Sequence, residues 1–326
     1  MRCQHGRAGE VLEIRQLTAL VTVADAGSVT AAARLLRMVQ PAVTRQIRTL
    51  EDEVGVPLFS RTRQGMVLTA EGELLVERAR RALAELERAR LEISPSPGGL
   101  TGVVSVGLLE SVADMIAPPL AAAVAEAHPG IEIHILSAYS GHLQQWLDAG
   151  DIDLSLLYNL SSTQSLAVIP LLREKLWVAA PPDAGLSAGT PVTWAEALER
   201  PLVLPVPGHG LRTLIDQALA RLPGPPAMSV QVNSMHLQKR LVLAGQGWTV
   251  LPAAGVAGDI AAGTLSGAPL TAPEVERSVV LGLQLGRRTP PLVEAVASEL
   301  RRLVGELALS GAWPAVLQPA NGTKCH

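Results

Sequence analysis

Glu13–Glu73 reads EIRQLTALVTVADAGSVTAAARLLRMVQPAVTRQIRTLEDEVGVPLFSRTRQGMVLTAEGE, and its middle third decides the reading of the whole stretch. Val43, Ile47, Leu50 and Val54 recur at spacings of 4, 3 and 4, the period of one helical face turned to a core. Pro41, Thr44, Arg45 and Arg48 fall on a different face, joined by Gln40 at the helix start. Pro41 is tolerated there because the first turn of a helix has no intrahelical partner for the missing N–H. Working outward, Leu17, Leu20, Val21 and Ala24 make an apolar stripe that stops at Gly27, and Ser28 is placed to cap a second helix over Val29–Leu36. A break at Arg37–Val39 separates the second helix from the third. Gly55–Pro57 ends the third, Leu58 and Phe59 return to the core, and Arg61–Thr69 reads as a small hairpin carrying Arg61 and Arg63.

The outer face of the third helix offers an amide, a hydroxyl and two guanidiniums. Such groups can read base edges in a major groove and clamp phosphate at the same time. An amphipathic helix with a solvated polar face gives the same pattern, so spacing alone leaves both readings open. Charge adds weight to the first. Residues 1–93 hold 14 basic and 12 acidic side chains and the remainder 13 and 18, and residues 26–50 contain Arg34, Arg37, Arg45 and Arg48 with no acid at all. An acid-free basic segment in a chain of net charge -3 points to a local anionic partner.

Beyond the hairpin, Thr69 is a natural N-cap and Glu71 suits the first turn of a long helix. Leu75, Ala79, Ala82, Leu86, Ala89 and Ile93 follow at spacings of 4, 3, 4, 3 and 4, an a/d seam fit for a second copy of the helix. A helix lying on its own domain would show the same period.

Ser94–Gly99, SPSPGG, breaks the helical pattern, and strands then alternate with helices of 10–15 residues. Strands are expected at Val103–Leu108, Ile131–Ser137, Ile152–Tyr158, Leu176–Ala180, Leu202–Leu204, Ser229–Val232, Trp248–Leu251 and Ser278–Leu285. A last helix is expected over Pro291–Leu309, with residues 310–326 as a flexible tail. This alternation implies a mostly parallel sheet with helices on its faces. Hydrogen-bonding residues stand where strands pass into helices, at Glu110-Ser111, Tyr139-Ser140, Pro207–Gly210 and Asn233-Ser234. In parallel α/β domains such junctions open on one crevice, where helix N-termini favour a small carboxylate. An ionised Glu110 would repel it, which keeps an amine or a neutral ligand in view. Capping of each helix by its own serine explains the same residues singly.

Composition narrows the class. With 326 residues and 48% apolar side chains, the chain is neither disordered nor collagen-like, and Cys3 and Cys325, alone at opposite ends, suggest no disulfide scaffold. The longest uncharged run, Leu241–Gly258, is broken by Pro252 and glycines, so no membrane partner is expected. Residues 1–12 read as a disordered extension without a signal peptide's apolar run, which suggests a cytoplasmic protein. There is no G-x-S-x-G, H-E-x-x-H, P-loop or G-x-G-x-x-G, and the histidines have no metal spacing, so no catalytic residue, metal or cofactor is expected.

The elements AAARLL, QPAVTRQIRTLE, GVPLFSR and LTAEG stand in an order and spacing that resemble the winged helix-turn-helix of LysR-type transcriptional regulators, without a gap over Glu13–Glu73. The resemblance implies a fold of class α + α/β: a DNA-binding domain at 13–72, a linker helix for dimerisation and hinge at 73–99, and an effector-binding domain at 100–309. The last would consist of two α/β subdomains like those of periplasmic binding proteins, about 101–176 with 275–309, and 177–274. It further implies contacts to double-stranded DNA from Ser28, Arg34, Gln40, Pro41, Thr44, Arg45, Arg48, Arg61 and Arg63. Ser111, Tyr139, Ser140, His209 and Ser234 would contact a small-molecule effector. A homodimer or homotetramer, acting with RNA polymerase on a partly palindromic site, completes the implied picture. Val39 departs from the Ser or Thr usual in the family, and a lost N-cap is expected to cost about 0.5–2 kcal/mol. A solute-binding protein would fit residues 101–309 but not the DNA module, and an enzyme would need a nucleophile and base that the chain does not pair.

Overall fold

The structure is a computed structural model that describes residues 12–62, 65–93, 99–163, 165–222, 227–284 and 289–319. Arg63, Cys3, Cys325 and most of the Ser94–Gly99 joint lie outside the described residues, as do the side chains of Arg61 and Ile93. The chain divides into two compact units, Met1–Pro95 and Ser96–His326.

In the first unit, α1 (Ile14–Ala26) starts on a capping box between Glu13 and Gln16 and ends at Gly27, whose φ of 61° suits the left-handed turn a side chain would resist. Ser28 caps α2 (Val29–Leu35), its Oγ accepting from the Ala31 N–H at 3.5 Å. α3 (Gln40–Val54) follows, then an antiparallel hairpin of β1 (Phe59–Thr62) and β2 (Gly65–Leu68), then α4 (Ala70–Ile93). Ala19, Leu20, Val23, Val43, Ile47 and Leu50 form the centre of the core. Burying each of the large side chains contributes about 1.5–3 kcal/mol. Glu51 fixes the hairpin to α3 by accepting from the Leu58 and Phe59 N–H groups at 2.8 and 3.2 Å. Thr69 caps α4 through the Gly72 N–H at 3.0 Å. Gly72 has to be glycine, since a Cβ there would lie 2.1 Å from the Leu58 carbonyl oxygen.

The expected seam on α4 needs correction at its start. Ala79 is 2% exposed and Leu75 packs on the same core, because α1 lies against this part of the helix. Only further along does the row come free, with Ala82 and Leu86 exposed and Ala89 half-buried.

The second unit is built on one mixed sheet that runs through two lobes. Its first lobe contains β3 (Gly102–Leu109), α5 (Glu110–Ala127), β4 (Ile131–Ala138), α6 (Ser140–Ala149) and β5 (Leu154–Tyr158), with β3 parallel to both β4 and β5. β6 (Leu166–Ala180) then leaves this lobe for the second, which holds β7 (Val192–Thr193), α7 (Trp194–Ala197), β8 (Leu202–Pro205), α8 (Gly210–Leu219), β9 (Met228–Val232), α9 (Met235–Leu243), β10 (Trp248–Pro252), α10 (Ala253–Ala261) and β11 (Ser266–Thr271). β8 is parallel to β9 and β10, while β10 and β11 pair antiparallel with the far end of β6. β12 (Glu276–Gln284) returns to the first lobe, antiparallel to β5 and to the near part of β6, and α11 (Pro291–Leu309) packs there. The two passages between lobes meet where the Leu176 N–H bonds the Val275 carbonyl at 2.9 Å.

The tail expectation is overturned over residues 310–319. β13 (Ala315–Leu317) pairs with β6, and Trp313 is fully buried with its Nε1–H donated to Glu174 at 3.1 Å. A three-residue strand has no periodicity to read. Residues 320–326 lie outside the described residues. No helix among the described residues is long and apolar enough to cross a membrane.

Candidate functional site

In the first unit, the burial of Val43, Ile47 and Leu50 turns the opposite face of α3 outward. Gln40, Pro41, Arg45 and Arg48 are exposed there, and Arg34 is exposed in the last turn of α2. None of the ion pairs among the described residues uses Arg34, Arg45 or Arg48. Three guanidiniums outside any such pair make this part of the small domain positively charged. Thr44 is half-buried and donates its hydroxyl to the Gln40 carbonyl at 3.1 Å, so its methyl and lone pairs are what it can offer a partner. Ser28 is occupied as a helix cap.

Val39, at the N-cap of α3, is 71% exposed and makes no side-chain cap. The cost of that departure falls toward the low end of the expected range. Pro41 has no N–H to leave unpaired, and the Ala42 N–H bonds the Val39 carbonyl at 3.0 Å.

In the second unit, the junctions singled out in the sequence meet in a crevice between the lobes. Two neighbouring cavities share Tyr139, Ser140, Tyr158 and His209: an inner one of about 30 Å³ and an outer one of about 590 Å³. The inner one holds little more than a water; the outer one has room for a small organic molecule. Ser140 accepts from the Tyr158 N–H at 3.3 Å, which ties the start of α6 to the end of β5. Ser111 lines the inner cavity and accepts from Arg277 at 2.6 Å. Ser234 departs from the expectation. Its Oγ caps α9 through the Leu237 N–H at 3.4 Å, and it lines neither cavity.

Three side chains of the first lobe reach across. Tyr139 donates its hydroxyl to the Asn233 carbonyl, Glu110 accepts from the Met235 N–H at 3.2 Å, and the Tyr158 ring lies against Gly210 at the start of α8. Burial, with the Glu110 charge and its hydrogen bond beside it, pushes the Tyr139 hydroxyl well above its usual range. Burial also raises Tyr158, against the opposing pull of the Arg277 charge and the Leu211 N–H.

The floor of the inner cavity was not legible in the junction pattern. Arg277, on β12, is 3% exposed and donates Nε to Glu174 at 2.7 Å, with Tyr158's ring 5.1 Å from its guanidinium carbon. Glu174, on β6, also accepts from the Ala254 N–H and from Trp313. The signal available was a lone arginine entering the apolar run Ser278–Leu283, at the start of its strand and away from the strand-to-helix junction at the other end.

His209 sits at the start of α8, its Nδ1 accepting from the Leu211 N–H at 3.1 Å and its ring edge-on to Tyr139 with centroids 3.9 Å apart. Burial, then the charges of Arg277 and His142, lowers its pKa to about 4, so the ring is neutral near pH 7. With Nδ1 accepting, Nε2 carries the proton, and that buried N–H finds no partner among the described protein groups. Among the described residues no cluster of three potential ligands could hold a metal ion.

A winged helix-turn-helix with a free cationic face, followed by two α/β lobes around a crevice, defines a DNA-binding regulator that responds to a small molecule. Residues 14–73 match the family described as "Bacterial regulatory helix-turn-helix protein, lysR family", and residues 97–305 match "LysR substrate binding domain". The chain belongs to the LysR family of transcriptional regulators. It is similar to the HTH-type transcriptional regulator BbuR of Bordetella bronchiseptica, with 31% identity over 93% of each chain. The nitrogen assimilation regulatory protein nac of Klebsiella aerogenes is 28% identical over 91% of this chain and 97% of its own. Among solved structures, full-length CbnR complexed with its target DNA aligns with a TM-score of 0.65 at 23% identity, over 89% of this chain and 99% of that one. A full-length OxyR variant from Pseudomonas aeruginosa aligns at 0.66 and 23%, over 89% and 98%. At that identity the two structures bear on the fold alone.

Proposed function

We propose that this regulator reads its operator with the outer face of α3. Gln40, Pro41, Thr44 and Arg45 would meet base edges and backbone, with Arg34, Arg48, Arg61, Arg63 and the Ser28 turn on flanking phosphate. The observation that carries this reading is the exposure of Gln40, Arg45 and Arg48 opposite the buried Val43, Ile47 and Leu50. The effector site is the inter-lobe crevice lined by Ser111, Tyr139, Ser140 and His209, to which Tyr158 and Arg277 are added and from which Ser234 is dropped. Occupancy would reset the angle between the lobes and so the spacing of paired recognition helices in a dimer or tetramer. The protein would act in the cytoplasm, with RNA polymerase as partner and no catalytic step.

The test is a gel-shift titration of the full chain on DNA upstream of its own gene and on sites selected from random DNA. Thr44→Ala with Arg45→Ala should abolish specific retardation while far-UV circular dichroism stays unchanged. Specific binding that survives the double substitution would remove α3 from the reading role.

A further inference from the structure

The charges around the crevice are already matched from within the chain. Among the described residues Arg277 is the one cation lining the inner cavity, and its charge is met at 2.7 Å by Glu174, which does not line it. The N-terminus of α9 offers the positive end of a nine-residue helix. That end holds a carboxylate of the chain itself, since Glu110 accepts from the Met235 N–H at 3.2 Å and leads into α5 from the opposite lobe. An incoming carboxylate in the outer cavity would therefore face a resident one across Tyr139, which lines both cavities and has Glu110 beside it. It would find no unpaired cation in the cavity floor to offset the repulsion. What the crevice lacks is a hydrogen-bond acceptor: the Nε2–H of His209 is buried and unpartnered, and His209 lines both cavities.

Resting on the crevice as the effector site, we infer that this regulator responds to an uncharged molecule. Its carbonyl or similar oxygen accepts a hydrogen bond from His209 Nε2–H, and Glu110 is the residue that excludes carboxylates. Movement of the His209 ring away from Tyr139 brings Nε2 to the outer cavity. The ligand then satisfies a donor that no group of the chain meets, which favours the occupied arrangement.

The experiment uses the full-length chain at pH 7.5 with matched probes, benzamide against benzoate and acetamide against acetate, read by thermal shift and calorimetric titration. Wild type should bind each amide more tightly than its carboxylate. Glu110→Gln keeps an oxygen for the Met235 N–H and removes the charge, so carboxylate binding should rise on the order of tenfold while amide binding holds. His209→Asn keeps a capping oxygen for α8 and removes the Nε2 donor, so amide binding should fall on the order of tenfold. Carboxylates that bind wild type as well as the amides, with His209→Asn still weakening both, would overturn the charge assignment and leave the crevice as the site. Probes that bind but ignore both substitutions would overturn the crevice itself. A Glu110→Gln protein that gains no carboxylate binding overturns the inference in every case.

Discussion

A Cβ atom placed on Gly210 would lie 2.1 Å from the Tyr158 hydroxyl, so the start of α8 and the end of β5 touch across the crevice at a point where only glycine fits. Gly210→Ala should push the lobes apart at this point. Overpacking of this kind costs about 1–3 kcal/mol, measurable by urea denaturation of the second unit's transition. Small-angle scattering should show a wider envelope for the variant, and an unchanged envelope with unchanged stability would mean that the contact is slack.

Glu174 and Arg277 face each other at the start of the return passage between lobes, with 1% and 3% exposure. Breaking such a pair leaves an uncompensated charge. Glu174→Gln should therefore destabilise by about 3–5 kcal/mol, and Arg277→Met by a similar amount. The combined Glu174→Gln, Arg277→Met chain should recover much of the loss, because neither charge is then stranded. Additive losses in the double variant, measured by chemical denaturation, would show that each residue acts through other contacts.

His209 gives the crevice a pH dependence whose sign follows from its lowered pKa of about 4. Above pH 6.5 the ring is neutral in both folded and unfolded chains, and its contribution is fully present. Below that, the unfolded chain binds a proton that the folded one refuses, so stability is lost as pH falls from about 6.5 toward 4. The part due to His209 is about 2 kcal/mol, discounted because the ring is partly solvated. It should vanish in His209→Asn. Denaturation curves at pH 7 and pH 4.5 for both proteins check this, and parallel losses would assign the effect to other groups.

How far the sequence reaches depends on whether a residue belongs to a periodic element. The α3 faces, the Thr69 cap and most parallel strands follow from period and capping chemistry, and Tyr139, Ser140 and His209 follow from the strand-to-helix junctions. Arg277 and Glu174 lie on the two long passages between lobes, Arg277 at the start of its strand and Glu174 inside its own, away from the strand ends on which the junction rule depends. β6 itself runs ten residues beyond the expected Leu176 start, because Arg173, Glu174 and Lys175 interrupt its apolar pattern. Tyr158 closes an expected strand, yet its role depends on Gly210 more than fifty residues away. Trp313 was hidden among turn residues. Trp313→Ala should cost about 3–5 kcal/mol in a thermal or urea transition, which no frayed tail would produce.

The division of α4 predicts two separable phenotypes along one helix. Ala79 is buried under α1, so Ala79→Leu should overpack the winged domain and destabilise it by about 1–3 kcal/mol. Leu86, two turns on, is 48% exposed within its own chain. If the free part of the row, Ala82 and Leu86, meets the same row of a second copy, Leu86→Asp should place two like charges in an apolar contact. Sedimentation equilibrium should then show a shift toward monomer while circular dichroism stays native. Gel-shift affinity should fall with it, because one recognition helix contacts only half of a two-part site. A Leu86→Asp protein that keeps the wild-type association state would place the dimer contact elsewhere. Ala79→Leu acting on association rather than stability would return the contact to the start of the helix, against the burial found there.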